Sequence, residues 1–105
     1  MDKDTLNLVL KSQWYEMIKA GTKKEEYREI TSYWERRLCF FPYDKKQPRE
    51  FITVCFHKGY TKEKILIECK GIEIGEGRPE WGAKPGQLYF KIKLGKEIKN
   101  ENTFF

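Results

Sequence analysis

Lys23, Glu26 and Arg28 place an ammonium, a carboxylate and a guanidinium close together in the run Gly21-Thr22-Lys23-Lys24-Glu25-Glu26-Tyr27-Arg28. In an extended chain alternate side chains share a face, so Glu26 and Arg28 project together. A glycine turn delivers Lys23 at the mouth of that strand. Two pieces of chemistry fit such a cluster. Lys23 and Arg28 can bind a phosphate or a carboxylate, with the planar arginine fork supplying direction. Glu26 can accept hydrogen bonds from the amino edge of a nucleobase. The plainer alternative is a solvated strand in which Glu26 and Arg28 neutralise each other. Trp14, Tyr15, Tyr27, Tyr33 and Trp34 lie near the cluster in sequence. Trp14 and Trp34 are the candidates for core positions, and a remaining tyrosine, Tyr27 among them, can stack on a base.

Other chemistries are poorly supported. His57 is the single histidine, at a strand end beside Lys58-Gly59-Tyr60, where a polar rim role is the simpler reading. Cys39, Cys55 and Cys69 form no C-x-x-C pair, and two of them sit in strand-like segments where a thiol acts as a small apolar group. Their odd number argues against a disulfide framework. There is no G-x-S-x-G elbow, Walker sequence or Rossmann glycine fingerprint. Neither a metal nor a cofactor is therefore expected. The loop from Gly75 to Gly86, which carries Trp81-Gly82-Ala83-Lys84-Pro85-Gly86, is either the second wall of a binding site or a connector in which Trp81 caps a barrel end.

A formal charge of +5 and a pI near 9.1 favour anionic partners, nucleic acid first. The excess is spread over both halves of the chain, so any basic patch must be made by folding. With 105 residues there is one core and one domain, expected over 1–98, followed by a tail at 99–105 that frays. Aromatics at 15% make a compact core possible despite 35% charged residues. No apolar run is long enough to cross a bilayer, and the opening MDKDTLNLVLK does not read as a signal peptide, so a cytoplasmic protein without a membrane partner is expected.

The elements follow from pattern. LNLVLK (6–11) reads as a buried strand, and Ser12 as the cap of a short helix carrying Trp14, Met17 and Ile18 and closed by Gly21. KEEYREI (24–30) reads as a strand with Glu26, Arg28 and Ile30 on one face and Glu25, Tyr27 and Glu29 on the other. Ser32 and Glu35 have capping-box spacing ahead of Trp34 and Leu38. Residues 39–50 form a loop, and FITVCFH (51–57) and KILIECKGIEI (64–74) are strands, the latter bent at Gly71. Leu88, Phe90, Ile92 and Leu94 alternate with Tyr89, Lys91 and Lys93 in a last strand. The sum is an α+β fold: a mixed, partly closed barrel of about five to six strands, with two short helices near the N-terminus plugging one end.

Ile18-Lys19-Ala20-Gly21-Thr22-Lys23 followed by Glu26-Tyr27-Arg28 resembles the helix ending I-x-x-G-x-K and the strand E-x-R of the ASCH family. Trp81-Gly82-Ala83-Lys84-Pro85-Gly86, running into Leu88-Tyr89-Phe90-Lys91-Ile92, looks like small stand-alone members of bacteria and their phages. The resemblance runs from Leu6 to about Ile98. It implies a PUA-like β-barrel with a Lys-, Glu- and Arg-lined cleft suited to RNA or a nucleotide; the reading of the residues themselves adds Tyr27 and Trp81 as expected ligand contacts. The resemblance also implies an alternative. One branch consists of amidohydrolases that remove the acetyl group from acetylated cytidine with a lysine, a threonine and a glutamate. The lysine matches Lys23, which would be catalytic in that case. Glu26 stands in the threonine position, and Glu76 and Glu80 are the loop candidates for the glutamate. The missing hydroxyl sets the binding reading ahead of the hydrolase.

Overall fold

A computed structural model describes residues 4–98. In chain order the elements are β1 (Thr5–Leu10), α1 (Ser12–Lys19), β2 (Glu25–Glu29), α2 (Ser32–Leu38), β3 (Thr53–Lys58), β4 (Lys64–Glu76), a 3-10 turn (Pro79–Trp81) and β5 (Leu88–Glu97). The predicted tail at 99–105 lies outside the described residues. The five strands form one sheet in the order β1-β3-β4-β5-β2, parallel between β1 and β3 and antiparallel elsewhere. This mixed α+β sheet curls into a half-barrel whose free edges are β1 and β2. The edges face each other closely enough for Arg28 of β2 to reach the Val9 carbonyl of β1.

The core fills the concave side. Leu6, Leu8 and Leu10 of β1 meet Val54 and Phe56 of β3, Ile65, Ile67 and Ile72 of β4, and Phe90, Ile92 and Leu94 of β5. Helix α1 adds Tyr15 and Ile18, and α2 adds Leu38. The near-continuous apolar run of β1 suggests burial on both faces, yet Val9 is about half exposed. The reason is position: an edge strand on a one-sided sheet needs only Leu6, Leu8 and Leu10 inside.

Strand β4 bends where Gly71 interrupts its pattern. The register shifts between Cys69 and Gly71, so that Lys70 is the extra residue against β5, and Gly71 takes the left-handed φ of 126°. That slip moves the inward set from Ile65 and Ile67 to Ile72. The strand also runs two residues further than the pattern suggests, to Glu76. Strand β3 begins at Thr53, with Phe51 buried just before it.

Both predicted helix caps shift by one residue. Ser12 is the first residue of α1 and Lys11 occupies the cap, with no side-chain bond there. Thr31, not Ser32, caps α2: its hydroxyl accepts from the Trp34 N–H at 3.3 Å. Thr31 and Trp34 hold the positions that a Ser32–Glu35 box would have taken, because β2 already ends at Glu29.

A second small cluster lies on the other face of β2 and β5. Tyr27, Tyr89 and Ala83 are buried there, with Trp81 packed against them. Leu88, expected inside, is exposed, and its neighbour Tyr89 is covered instead by the loop that follows β4. Two tyrosine hydroxyls anchor that loop, Tyr27 accepting from the Arg78 N–H at 3.0 Å and Tyr89 from the Lys84 N–H at 2.9 Å. Gly77 allows the close approach: a Cβ there would lie 2.6 Å from the Tyr27 ring and 2.7 Å from the Ala83 methyl.

Candidate functional site

The register of β2 against β5 decides where the charged cluster points. Glu26 pairs across from Ile92 and Arg28 from Phe90, both of which are core residues. Glu26 and Arg28 therefore face the concave interior, at the open seam between β2 and β1. A cleft of about 710 Å³ occupies the seam. Its walls come from β1 (Asn7 to Leu10), β2 (Glu26 to Glu29), the start of α1 (Trp14), α2 (Tyr33, Trp34, Arg37) and the loop after β4 (Trp81, Gly82, Lys84).

Lys23 stands behind this surface. It is only 2% exposed and is not among the residues lining the cleft. Its Nζ donates to Glu26 Oε1 at 2.7 Å and to the Glu25 carbonyl at 2.6 Å. The rings of Trp14 and Tyr27 flank the ammonium at 5.5 and 5.2 Å. Burial pushes the Lys23 pKa down from its ordinary value, and the Glu26 carboxylate opposes that shift. The other Glu26 oxygen, Oε2, accepts from Arg28 Nη1. One carboxylate thus holds two cations, and the triad carries one net positive charge.

Arg28 is only partly satisfied. Nη1 also donates to the Tyr27 carbonyl at 3.2 Å, and Nη2 reaches the Val9 carbonyl at a long 3.4 Å. Its Nε is buried with no partner among the described residues. The guanidinium lies 5.0 Å from the Trp34 ring. Arg37 approaches the same ring at 5.1 Å and donates to the Asn7 carbonyl at 3.0 Å. Two arginines thereby occupy outward carbonyls of β1 and blunt an otherwise open sheet edge. The lining holds four basic side chains (Lys11, Arg28, Arg37, Lys84) against Glu26 and Glu29, which favours an anionic guest.

Of the residues singled out in sequence, Glu26, Tyr27, Arg28 and Trp81 line the cleft, and Lys23 supports Glu26 from beneath. Tyr27 presents little free surface, because its ring is wedged against Lys23 and Tyr89 and its hydroxyl also donates to Glu25 Oε1 at 2.7 Å. Trp14 and Trp34, expected in the core, only border it and line the cleft; Tyr15 takes the buried place. The pattern Ser12-Gln13-Trp14-Tyr15 puts two adjacent aromatics on α1, and helical spacing alone does not choose between them. Arg37 and the β1 edge went unread in sequence, since both depend on the parallel β1–β3 pairing.

His57 lies apart, bonded to Asn7 Oδ1 at 3.1 Å beside a shallow groove with Tyr60 and Thr61. Glu76 and Glu80 are exposed and do not line the cleft; Glu80 lies 3.6 Å from Arg78. Among the described residues no group of three or more His, Cys, Asp or Glu side chains is placed to hold a metal ion. No helix among them is long and apolar enough to cross a membrane.

In comparisons with known proteins, no family model, curated protein or solved structure matches the chain.

Covered tyrosine hydroxyls and cysteine thiols across the fold give a pH signature. Burial raises Tyr27 from 10.0 to about 12, and it raises Tyr15 and the thiols of Cys39, Cys55 and Cys69 as well. The folded chain then keeps protons that the unfolded chain sheds, so stability is full below about pH 9 and falls as pH climbs toward 12. Lys23, with its lowered pKa, acts in the opposite sense, but it is one group against five. By pH 11, halfway through its window, Tyr27 alone accounts for a loss of about 1.4 kcal/mol. Urea midpoints at pH 8 and pH 11 are expected to differ accordingly, and equal midpoints would contradict the burial of these groups.

Proposed function

We propose that the seam cleft binds a nucleotide unit, most naturally within RNA. One observation carries this reading: all three tryptophans of the chain, Trp14, Trp34 and Trp81, line one cleft around an incompletely satisfied arginine. Aromatic faces hold bases irrespective of sequence, and a guanidinium holds phosphate. Both Glu26 oxygens are engaged, but a carboxylate has about four acceptor sites, which leaves capacity for a base amino group. The cleft volume lies within the range of small-molecule sites and suits a mononucleotide or one residue of a strand.

The G-x-K-x-x-E-x-R resemblance to the ASCH family supports the same reading, as does the turn from α1 into β2 that sets Lys23 against Glu26. On this reading the half-barrel is a PUA-like domain. The amidohydrolase alternative has one observation in its favour, the lowered pKa of Lys23. A nucleophilic lysine must also be neutral and in reach of substrate. Lys23 is ion-paired and screened from the cleft by Glu26, so binding is the better supported function. Release of acetate from acetylated cytidine, lost in Lys23→Ala, would reverse that preference. Titration of the tryptophan emission with nucleotide and RNA tests the binding itself.

A further inference from the structure

Trp81 has a second neighbour besides the cleft. It also lines a groove of about 450 Å³, together with Lys24, Glu25, Lys70, Arg78, Lys93 and Leu94. Four cations thus face one carboxylate, and that carboxylate is already occupied. Glu25 accepts from the Tyr27 hydroxyl through Oε1 and lies 3.6 Å from Lys93 through Oε2.

The fold assembles these cations from distant parts of the chain. Lys24 enters β2, and its carbonyl accepts from the Leu94 N–H at 3.0 Å. Lys93 sits across from Gly71 on β5 and lies 3.6 Å from Glu73 as well as from Glu25, so it is the most neutralised of the four. Lys70 is the extra residue of the β4 bulge, so the slip that re-phases the core also turns an additional lysine into the groove. Arg78 lies 4.8 Å from the Trp81 ring and makes only a loose, exposed pair with Glu80. Lys24 and Lys70 are exposed and are not ion-paired among the described residues.

We infer that this groove is a backbone subsite, which holds the phosphodiester next to the nucleotide seated in the cleft. The inference rests on the nucleotide reading of that cleft and narrows it: the ligand is a single-stranded polynucleotide crossing Trp81, not a free mononucleotide. A strand needs both elements, an aromatic platform and an adjoining row of cations that tracks its backbone. Trp81 supplies the first to both cavities, and Lys24, Lys70, Arg78 and Lys93 supply the second.

The test compares uridine monophosphate with a six-residue oligouridylate, each titrated into the wild-type chain and into Lys24→Ala/Lys70→Ala at several salt concentrations. The wild type is expected to bind the oligomer at least tenfold more tightly. The double variant is expected to lose most of that surplus, with a salt slope lower by about 1.4 for two lost phosphate contacts, and to bind the mononucleotide unchanged. Both substituted side chains are exposed, and circular dichroism verifies the fold. If the variant binds the oligomer like the wild type with an unchanged slope, the subsite is wrong while the cleft stands. Equal weakening of both ligands would place the lysines' effect in the cleft and equally overturn the subsite. Absence of binding by either ligand to the wild type would remove the cleft reading and this one with it.

Discussion

Replacing Glu26 by alanine is expected to destabilise the protein by about 3–5 kcal/mol, the range seen when one partner is removed from a buried ion pair. Glu26 is 4% exposed and Lys23 is 2% exposed. Without the carboxylate, the Lys23 ammonium keeps only the Glu25 carbonyl and two aromatic rings, and Arg28 loses its charged acceptor. The penalty is chiefly the uncompensated charge. Two consequences separate it from a plain cavity effect. Adding Lys23→Met to Glu26→Ala should recover part of the loss, so the two substitutions are non-additive. The deficit relative to wild type should also shrink as pH rises toward 10.5, the ordinary lysine value. Glu26 opposes the depression of Lys23, so without it the folded-state value falls further than in the wild type and the variant gains more from deprotonation there. Urea denaturation of the two variants at pH 7 and pH 9 measures both. A loss below about 1 kcal/mol would mean that water already solvates the cluster.

Arg28→Ala is expected to lower affinity for a nucleotide or short RNA by about 10- to 100-fold, corresponding to the loss of charge-assisted hydrogen bonds. The effect on stability should be smaller than that of Glu26→Ala, because Lys23 retains its carboxylate. Arg28 is a cleft group with unspent donor capacity on a planar fork: Nε lacks a partner among the described residues and the Nη2 bond to Val9 is long. A phosphate can take both from one edge of the guanidinium. Lysine cannot supply that fork, so Arg28→Lys should restore charge and salt dependence but little of the affinity. Isothermal titration of the three proteins distinguishes these roles. Unchanged affinity in Arg28→Ala would mean that the ligand avoids the seam.

Much of the fold is legible in the chain because its signals are local. The Phe90, Ile92 and Leu94 alternation, the interruption at Gly71 and the two short helices all read directly. The site is legible in type and not in placement. That Lys23, Glu26 and Arg28 belong together follows from a glycine turn and a period of two. That Glu26 and Arg28 face inward follows from their pairing with Ile92 and Phe90, more than sixty positions away in the chain. No local pattern marks it, since Tyr27 is buried too, on the opposite face beneath the 77–83 loop. Likewise nothing near Arg37 or Trp34 announces the β1 edge. That edge exists because β1 pairs in parallel with β3 and leaves its other side free for arginine donors. The charges on β2 are tolerated inside because β2 is also an edge strand, at the seam where the half-barrel stays open.

Intrinsic tryptophan emission tests the central claim most directly, because every tryptophan borders the seam. Titration with a nucleotide or a short single-stranded RNA at low salt should give saturable quenching, weakened by added salt and by Arg28→Ala. Removing Trp34 or Trp81 by phenylalanine substitution should each cut the amplitude. Emission that stays flat across the titration, in protein shown to be folded, would contradict a base-holding cleft between β1 and β2.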